Sequence, residues 1–464
     1  MRCLLLLVFF AFATGPLWGQ TVVIRGQATG YAGKEIDFFT IPEPVSRQPK
    51  MLAQTKVAQD GSFSLSFQTN QTIEVYTDLG KFRGTLVVEP GATYQISLPP
   101  YSPRTTLEAA SPYFEPTLYW LGIAGSKPTD LNFLVRSFLT DYNKELKVHT
   151  NDLYQNKSLD TMKVIISRME RLYPDGRNDY LKILKNYSYG ELACSIHPAV
   201  KEQTGRKYFD RKEVFLSHPA YQQLFNFLYA GYLTNKSQDI REKESVRKAL
   251  RGDYEGFVNQ LTDAGYNREP AELIAAKSFY DGYYSNKLDK GSMLRGLKSA
   301  AISGTFQPLK EAMPAILGRI NSLREGSPAP KLTLKNRTGT QFNFTSKGKY
   351  IYLAFFRSDS RACRAELDSL TAIGKKLQTI LTILPVSLDA NTAGAIQLWN
   401  EKKYPWDLNW VADPEKAKSD YQITALPAFY LTSPDLMMVL SPALAPSHNF
   451  EPLFLKIYRE NRTR

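Results

Sequence analysis

The residues able to do covalent chemistry in this chain are few. Cys3 lies in the N-terminal apolar segment, which leaves Cys194 and Cys363 in the rest of the sequence. Cys363 closes the tetrapeptide Ser360-Arg361-Ala362-Cys363, just after an apolar run and where a helical pattern begins. A helix N-terminus offers unpaired N–H groups and partial positive charge, both of which stabilise a thiolate. Arg357, Arg361 and Arg364 would add to that effect. One low-pKa cysteine suffices for the first step of peroxide reduction. Repeated disulfide exchange needs a second cysteine to resolve the mixed disulfide. Ser360 cannot be that second group, because its hydroxyl stays protonated at neutral pH. As a hydrolytic nucleophile Ser360 has no support either: no Gly-x-Ser-x-Gly surrounds it and no histidine base is near in sequence.

Cys194 sits in Gly190-Glu-Leu-Ala-Cys-Ser-Ile-His197, inside a helical region. It reads first as a small buried hydrophobe, and the alternative is a redox partner for Cys363. Cys194 and His197 would give two zinc ligands where a structural site needs four, and His149, His218 and His448 lie far off. No metal site and no cofactor is expected.

The elements that must position Cys363 are readable. Tyr350–Phe356 is apolar on both faces, as a central strand between helices must be. Residues 381–389 form a second buried strand. The segment 324–330, Arg-Glu-Gly-Ser-Pro-Ala-Pro, reads as a linker, and everything after it as one α/β domain. Upstream, residues 20–100 alternate apolar and polar as half-buried strands do, with Asp60-Gly61 as a turn before Phe63, Leu65 and Phe67. Strands at that spacing predict a β-sandwich. Residues 101–323 read as helical. Met162, Ile165, Ile166, Met169, Leu172 and Tyr173 follow helical spacing and stop before Pro174. Further helices are expected around Leu224–Tyr232, Leu273–Tyr284 and Leu309–Leu323.

A chain of 464 residues needs several cores, so the expected fold class is multidomain: β-sandwich, helical middle, α/β C-terminal domain. Residues 1–19, with Arg2 and a short apolar run, read as a signal peptide too short to span a bilayer. No transmembrane segment is expected. The net charge of +13 is scattered, and the dense stretch Arg241–Arg251 alternates signs as a solvated helix face does. No nucleic-acid motif accompanies it, so nucleic acid is not an expected partner.

Several landmarks occur in order: Gly326-Ser-Pro-Ala-Pro-Lys-Leu-Thr-Leu334, the strand 350–356, the motif 360–363, Trp399–Asp413, and Thr424-Ala-Leu-Pro-Ala-Phe-Tyr-Leu431. Together they resemble the thioredoxin fold of the exported TlpA/ResA-like family of Bacteroidota, over residues 324–464. Val57–Phe63 and Val88-Glu-Pro-Gly91 resemble the N-terminal β-domain of such proteins. The resemblance implies thiol–disulfide redox ancestry and a periplasmic or extracellular location. It also implies that Ser360 replaces the attacking cysteine, that Cys363 is the resolving position, and that Pro427 is a cis-proline. Oxidoreductase activity is then expected to be weak or absent. The alternative is a non-enzymatic binding module for a cell-envelope protein or peptide. A third reading is a one-cysteine peroxiredoxin-like peroxidase, which the Ser-x-x-Cys spacing matches. Phe356 stands where that family has a proline, however, and Leu426-Pro427 where it has a functional arginine.

Overall fold

The structure is a computed structural model and describes residues 19–105, 108, 114–176, 178–197, 201–209, 213–236, 243–285, 287–389, 392–423 and 425–462. The expected signal peptide therefore lies outside the described residues, apart from Gly19. The chain falls into two compact units, Met1–Ser102 with Pro116–Leu309, and Pro103–Glu115 with Lys310–Arg464.

In the first unit, strands β1 (Gln20–Gln27), β2 (Glu35–Thr40), β3 (Lys50–Lys56), β4 (Ser62–Thr69), β5 (Ile73–Leu79), β6 (Phe82–Val88), β7 (Thr93–Ser97), β8 (Thr117–Trp120) and β9 (Gly122–Ile123) build two sheets. Their orders are β4-β1-β7-β9 and β3-β2-β5-β6-β8. β4 shows why: Phe63, Leu65, Phe67 and Thr69 alternate inward, and the core they join includes Val22, Ile24, Phe38, Val75 and Leu86. The preceding turn is fixed by the Asp60 carboxylate, which accepts the Ser62 N–H at 2.9 Å, and by Gly61 at φ 87°. Two strands correct the expectation that everything from 101 to 323 is helical. β8 lies parallel to β6 with Phe82 opposite Thr117, and β9 pairs with β7. The edges of β6 and β7 supply their hydrogen bonds, which no local pattern announces.

Helices follow: α1 (Leu131–Val148), α2 (Leu159–Leu172), α3 (Asp179–Ile196), α4 (Lys201–Phe209), α5 (Pro219–Tyr229), α6 (Tyr232–Lys236), α7 (Lys243–Leu250), α8 (Tyr254–Asp263), α9 (Arg268–Tyr284), α10 (Lys290–Ser303) and α11 (Gln307–Ser322). α2 starts at the Ser158 cap and stops before Pro174, the stop being what its sequence predicts, but Leu172 is exposed rather than buried. α9 buries residues all round, among them Leu273, Ile274, Ala276 and Phe279. Its Glu272 is fully buried and accepts from the N–H groups of Thr305 and Phe306, from the Thr305 hydroxyl, and from Arg268. The loop between β2 and β3 is tied to this helical layer. Gln222 donates to the Ile41 carbonyl at 2.8 Å, Asn226 to Pro44 at 3.2 Å and Lys277 to Val45 at 3.1 Å.

The second unit holds a seven-stranded sheet in the order β11-β10-β14-β13-β12-β15-β16. Its strands are β10 (Thr333–Lys335), β11 (Gln341–Asn343), β12 (Tyr350–Phe356), β13 (Leu381–Ser387), β14 (Asn409–Val411), β15 (Ala428–Thr432) and β16 (Met438–Leu440). Around it lie α12 (Arg361–Leu377), α13 (Ala393–Lys402), α14 (Pro414–Asp420) and α15 (Phe450–Arg462). β12 runs parallel to β13 and antiparallel to β15, and β15 forms a hairpin with β16. This β-α-β, hairpin, final-helix sequence is the thioredoxin order. β12 is buried along its whole length. Tyr352, Ala354 and Phe356 pack into one core with α12, α13 and α15, while Ile351, Leu353 and Phe355 pack into another with Tyr421 and Tyr430. Alternation along a strand makes this division unavoidable. α11 joins this unit through most of its length: Gln422 donates to the Arg319 carbonyl at 2.8 Å.

Among the described residues, no helix is long and apolar enough to cross a membrane.

Candidate functional site

The Ser360–Cys363 motif lies where β12 ends and α12 begins. Ser360 has extended backbone (φ −82°, ψ 120°) and caps the helix, its hydroxyl oxygen accepting the Cys363 N–H at 3.3 Å. Cys363, Leu367, Leu370, Gly374 and Leu377 form the buried stripe of α12. The helix must lay that stripe on the sheet, so Cys363 turns inward against the core containing Phe356, Leu367 and Trp399 and is fully buried. Arg361, Ala362 and Arg364, its neighbours in sequence, face solvent.

The electrostatics oppose a thiolate. Burial pushes the Cys363 thiol above its usual value, and the carboxylates of Asp389 and Asp359 push the same way. Hydrogen bonding to the Ser360 hydroxyl and the Arg357 backbone pulls it down, by less. The expectation that the arginines would favour a thiolate is corrected here. Arg357 is almost fully buried, and its guanidinium is committed to Asp359 at 2.9 Å and lies 3.9 Å from Asp389. Asp389 in turn accepts the Ser358 N–H at 3.1 Å and the Ser387 hydroxyl at 2.9 Å. β13 stops at Ser387, two residues short of the strand expected over 381–389, and from just beyond its end Asp389 meets the Arg357 guanidinium over the strand ends. Sequence reasoning took Asp389 only as the last residue of a strand. The available signal was an acidic residue at the C-terminal end of a parallel strand beside the motif strand.

The Leu426–Pro427 peptide is cis. Ala428 pairs with Phe355, so Pro427 enters the sheet at the end where β12 runs into the motif. A second cis peptide, Ser441–Pro442, was not foreseen. Cys194 is buried in α3, in the other unit, and both cysteines are thiols. A cavity of about 410 Å³ in the C-terminal unit is lined by residues such as Phe344, Pro405 and Trp406, and Ser360, Cys363 and Pro427 are not among them. Among the described residues, no group of three or more His, Cys, Asp or Glu is placed to hold a metal ion.

No protein-family profile matches the chain, and no curated protein matches it. Solved structures do. The thioredoxin domain of a thiol-disulfide oxidoreductase from Bacteroides vulgatus is 23% identical, covering 29% of this chain and 99% of its own at a TM-score of 0.27. A thiol:disulfide interchange protein from a Bacteroides species is 24% identical, covering 29% of this chain and 92% of its own at 0.27. A thioredoxin-like protein from Bacteroides caccae is 18% identical, covering 50% of this chain and 93% of its own at 0.34.

Proposed function

We propose that the C-terminal unit is an exported, TlpA-like thioredoxin domain that has lost dithiol exchange and serves as a non-enzymatic platform for a cell-envelope protein or peptide. The observation that carries this reading is the state of Cys363. It is fully buried, its thiol is held up by burial and by two carboxylates, and the partner position is a serine used as a helix cap. Disulfide exchange requires an accessible thiolate, and these residues provide neither accessibility nor a low pKa. The signal-peptide pattern of residues 1–19 supports export.

The test is the rate of Cys363 alkylation against pH in the Cys194→Ser protein, alongside reduction of a disulfide substrate. The expected result is slow alkylation that climbs only at alkaline pH or on unfolding, with no reduction above background. An inflection well below the free-thiol value of about 8.5 would instead establish one-cysteine redox chemistry. Export is checked by the mass of the mature N-terminus.

A further inference from the structure

The first unit contains a cavity of about 370 Å³ between the outer face of the five-stranded sheet and the start of α5. Glu74 and Tyr76 reach it from β5, on the face opposite Ile73 and Val75, which belong to the sandwich core. Arg47 comes from the β2–β3 loop, and Ser217, Gln222 and Asn226 from the helical side. The loop cannot drift, because Gln222, Asn226 and Lys277 hold its carbonyls (see above). The Glu43 carboxylate also gathers the Val45 and Ser46 N–H groups from within.

Two features give this cavity a chemical preference. Glu74 has no hydrogen-bond or ion-pair partner for its carboxyl among the described residues. Glu74 is half-buried, and the loss of water around it raises that carboxyl from the usual range to about 7. A carboxyl left in that state gains from any donor or cation that arrives. The amide groups point the same way. Gln222 spends its NH2 on the carbonyls of Ile41 and Leu216, and Asn226 spends its own on those of Pro44 and Gln222. What remains to a ligand from both is amide oxygen, an acceptor. The inner part of the cavity thus offers acceptors and a carboxyl, while Arg47, an exposed residue, supplies positive charge at the rim.

We infer that this cavity binds a small zwitterion bearing an α-ammonium group and a carboxylate, a free amino acid or a short peptide, with the ammonium on Glu74 and the carboxylate on Arg47. It is a site separate from the cysteine motif. Its volume fits one or two residues of peptide. The titratable groups facing Glu74 are Arg47 from the loop, Tyr76 from its own strand and Tyr180 from α3. Burial pushes Tyr76 up to about 12 and Tyr180 well above its usual value, so neither competes for charge near neutrality.

The test is calorimetric titration of the full chain at pH 8 with L-alanine, L-alanyl-L-alanine, ethylamine and N-acetyl-L-alanine. Binding is expected for the first two, weaker for ethylamine and absent for N-acetyl-L-alanine. The tighter of the first two identifies free amino acid or peptide as the source. For L-alanine, whose ammonium stays charged over this range, affinity should fall about tenfold from pH 8 to pH 6 as Glu74 takes up a proton. Glu74→Gln, with unchanged circular dichroism, should abolish binding. Arg47→Ala, at an exposed position, should weaken L-alanine but not ethylamine. The inference is overturned if neither zwitterion binds, if N-acetyl-L-alanine binds as well as L-alanine, or if folded Glu74→Gln binds undiminished.

Discussion

Ser360→Ala discriminates sharply between a capping serine and an activating one. The substitution removes the hydroxyl that accepts the Cys363 N–H at 3.3 Å. An N-cap of this type contributes about 1 kcal/mol to its helix. Because Cys363 is fully buried, it can react only when the first turn of α12 opens. Losing about 1 kcal/mol of protection raises the open population, and with it the alkylation rate, about fivefold. The hydroxyl also lowers the thiol's pKa somewhat in the closed state, but the closed state does not react, so that effect is invisible to the assay. The measurement is the rate of iodoacetamide labelling of Cys363 in the Cys194→Ser background, followed by mass spectrometry from pH 7 to 10. If Ser360 instead supported a reactive thiolate, its removal would slow labelling at neutral pH. A slower rate in Ser360→Ala refutes the capping argument and with it the inert-thiol reading.

Three further outcomes are expected. Ser360→Cys puts a thiol at the helix cap, one turn from Cys363, so mild oxidation should remove both alkylatable thiols in the Cys194→Ser background; two thiols that stay alkylatable would count against the motif geometry. Glu272→Gln should cost about 2–4 kcal/mol, read from denaturant unfolding, because the buried carboxylate has several donors to satisfy. Burial alone would raise the Glu272 pKa, but the bonds from Thr305, Phe306 and Arg268 outweigh it and hold it low. Its contribution is therefore present above the unfolded value of about 4.3 and lost on acidification, and the variant should lack that acid-sensitive component. His218 is pushed down to about 4 by burial, although its bond to the Tyr180 carbonyl pulls the other way. The unfolded chain binds that proton more readily, so stability should fall as pH drops from about 6.5 towards 4, by at most about 3 kcal/mol, with a flatter profile in His218→Gln.

What was legible in the sequence was what local pattern dictates. β12 announced itself because seven apolar residues in a row fit only a strand covered on both faces. The α12 stripe, the α2 stop before Pro174 and the Asp60–Gly61 turn likewise follow from periodicity and backbone preference. What stayed hidden depends on distant partners. Thr117–Trp120 becomes a strand because β6 offers it an edge. Leu172 satisfies helical spacing yet meets solvent, since spacing names a face and not its occupant. At the site, three arginines near a cysteine promised a thiolate. The outcome turned on burial and on two carboxylates: Asp359, two residues on, takes the Arg357 guanidinium at 2.9 Å, and Asp389, from just beyond the end of the neighbouring strand, lies 3.9 Å from it. Charges near one another in sequence are easy to count, but which of them pair with each other and which reach the thiol is decided by the fold.

The ties between the β2–β3 loop and the helices carry a consequence for how this chain could be divided. Lys277 is nearly buried in α9 and donates to Val45, a residue 232 positions earlier. Gln222 and Asn226 reach back 181 and 182 positions, to Ile41 and Pro44. A gene fragment encoding the helices without the sandwich would cost an ammonium and two amides one acceptor each, leaving Lys277 with Asp281, Gln222 with Leu216 and Asn226 with Gln222. A fragment encoding the sandwich by itself would leave the β2–β3 loop without these anchors. The change from strand-rich to helix-rich sequence is thus no seam along which evolution or an experimenter can cut. These two stretches are expected to unfold in one transition, whatever their separate appearance in the sequence.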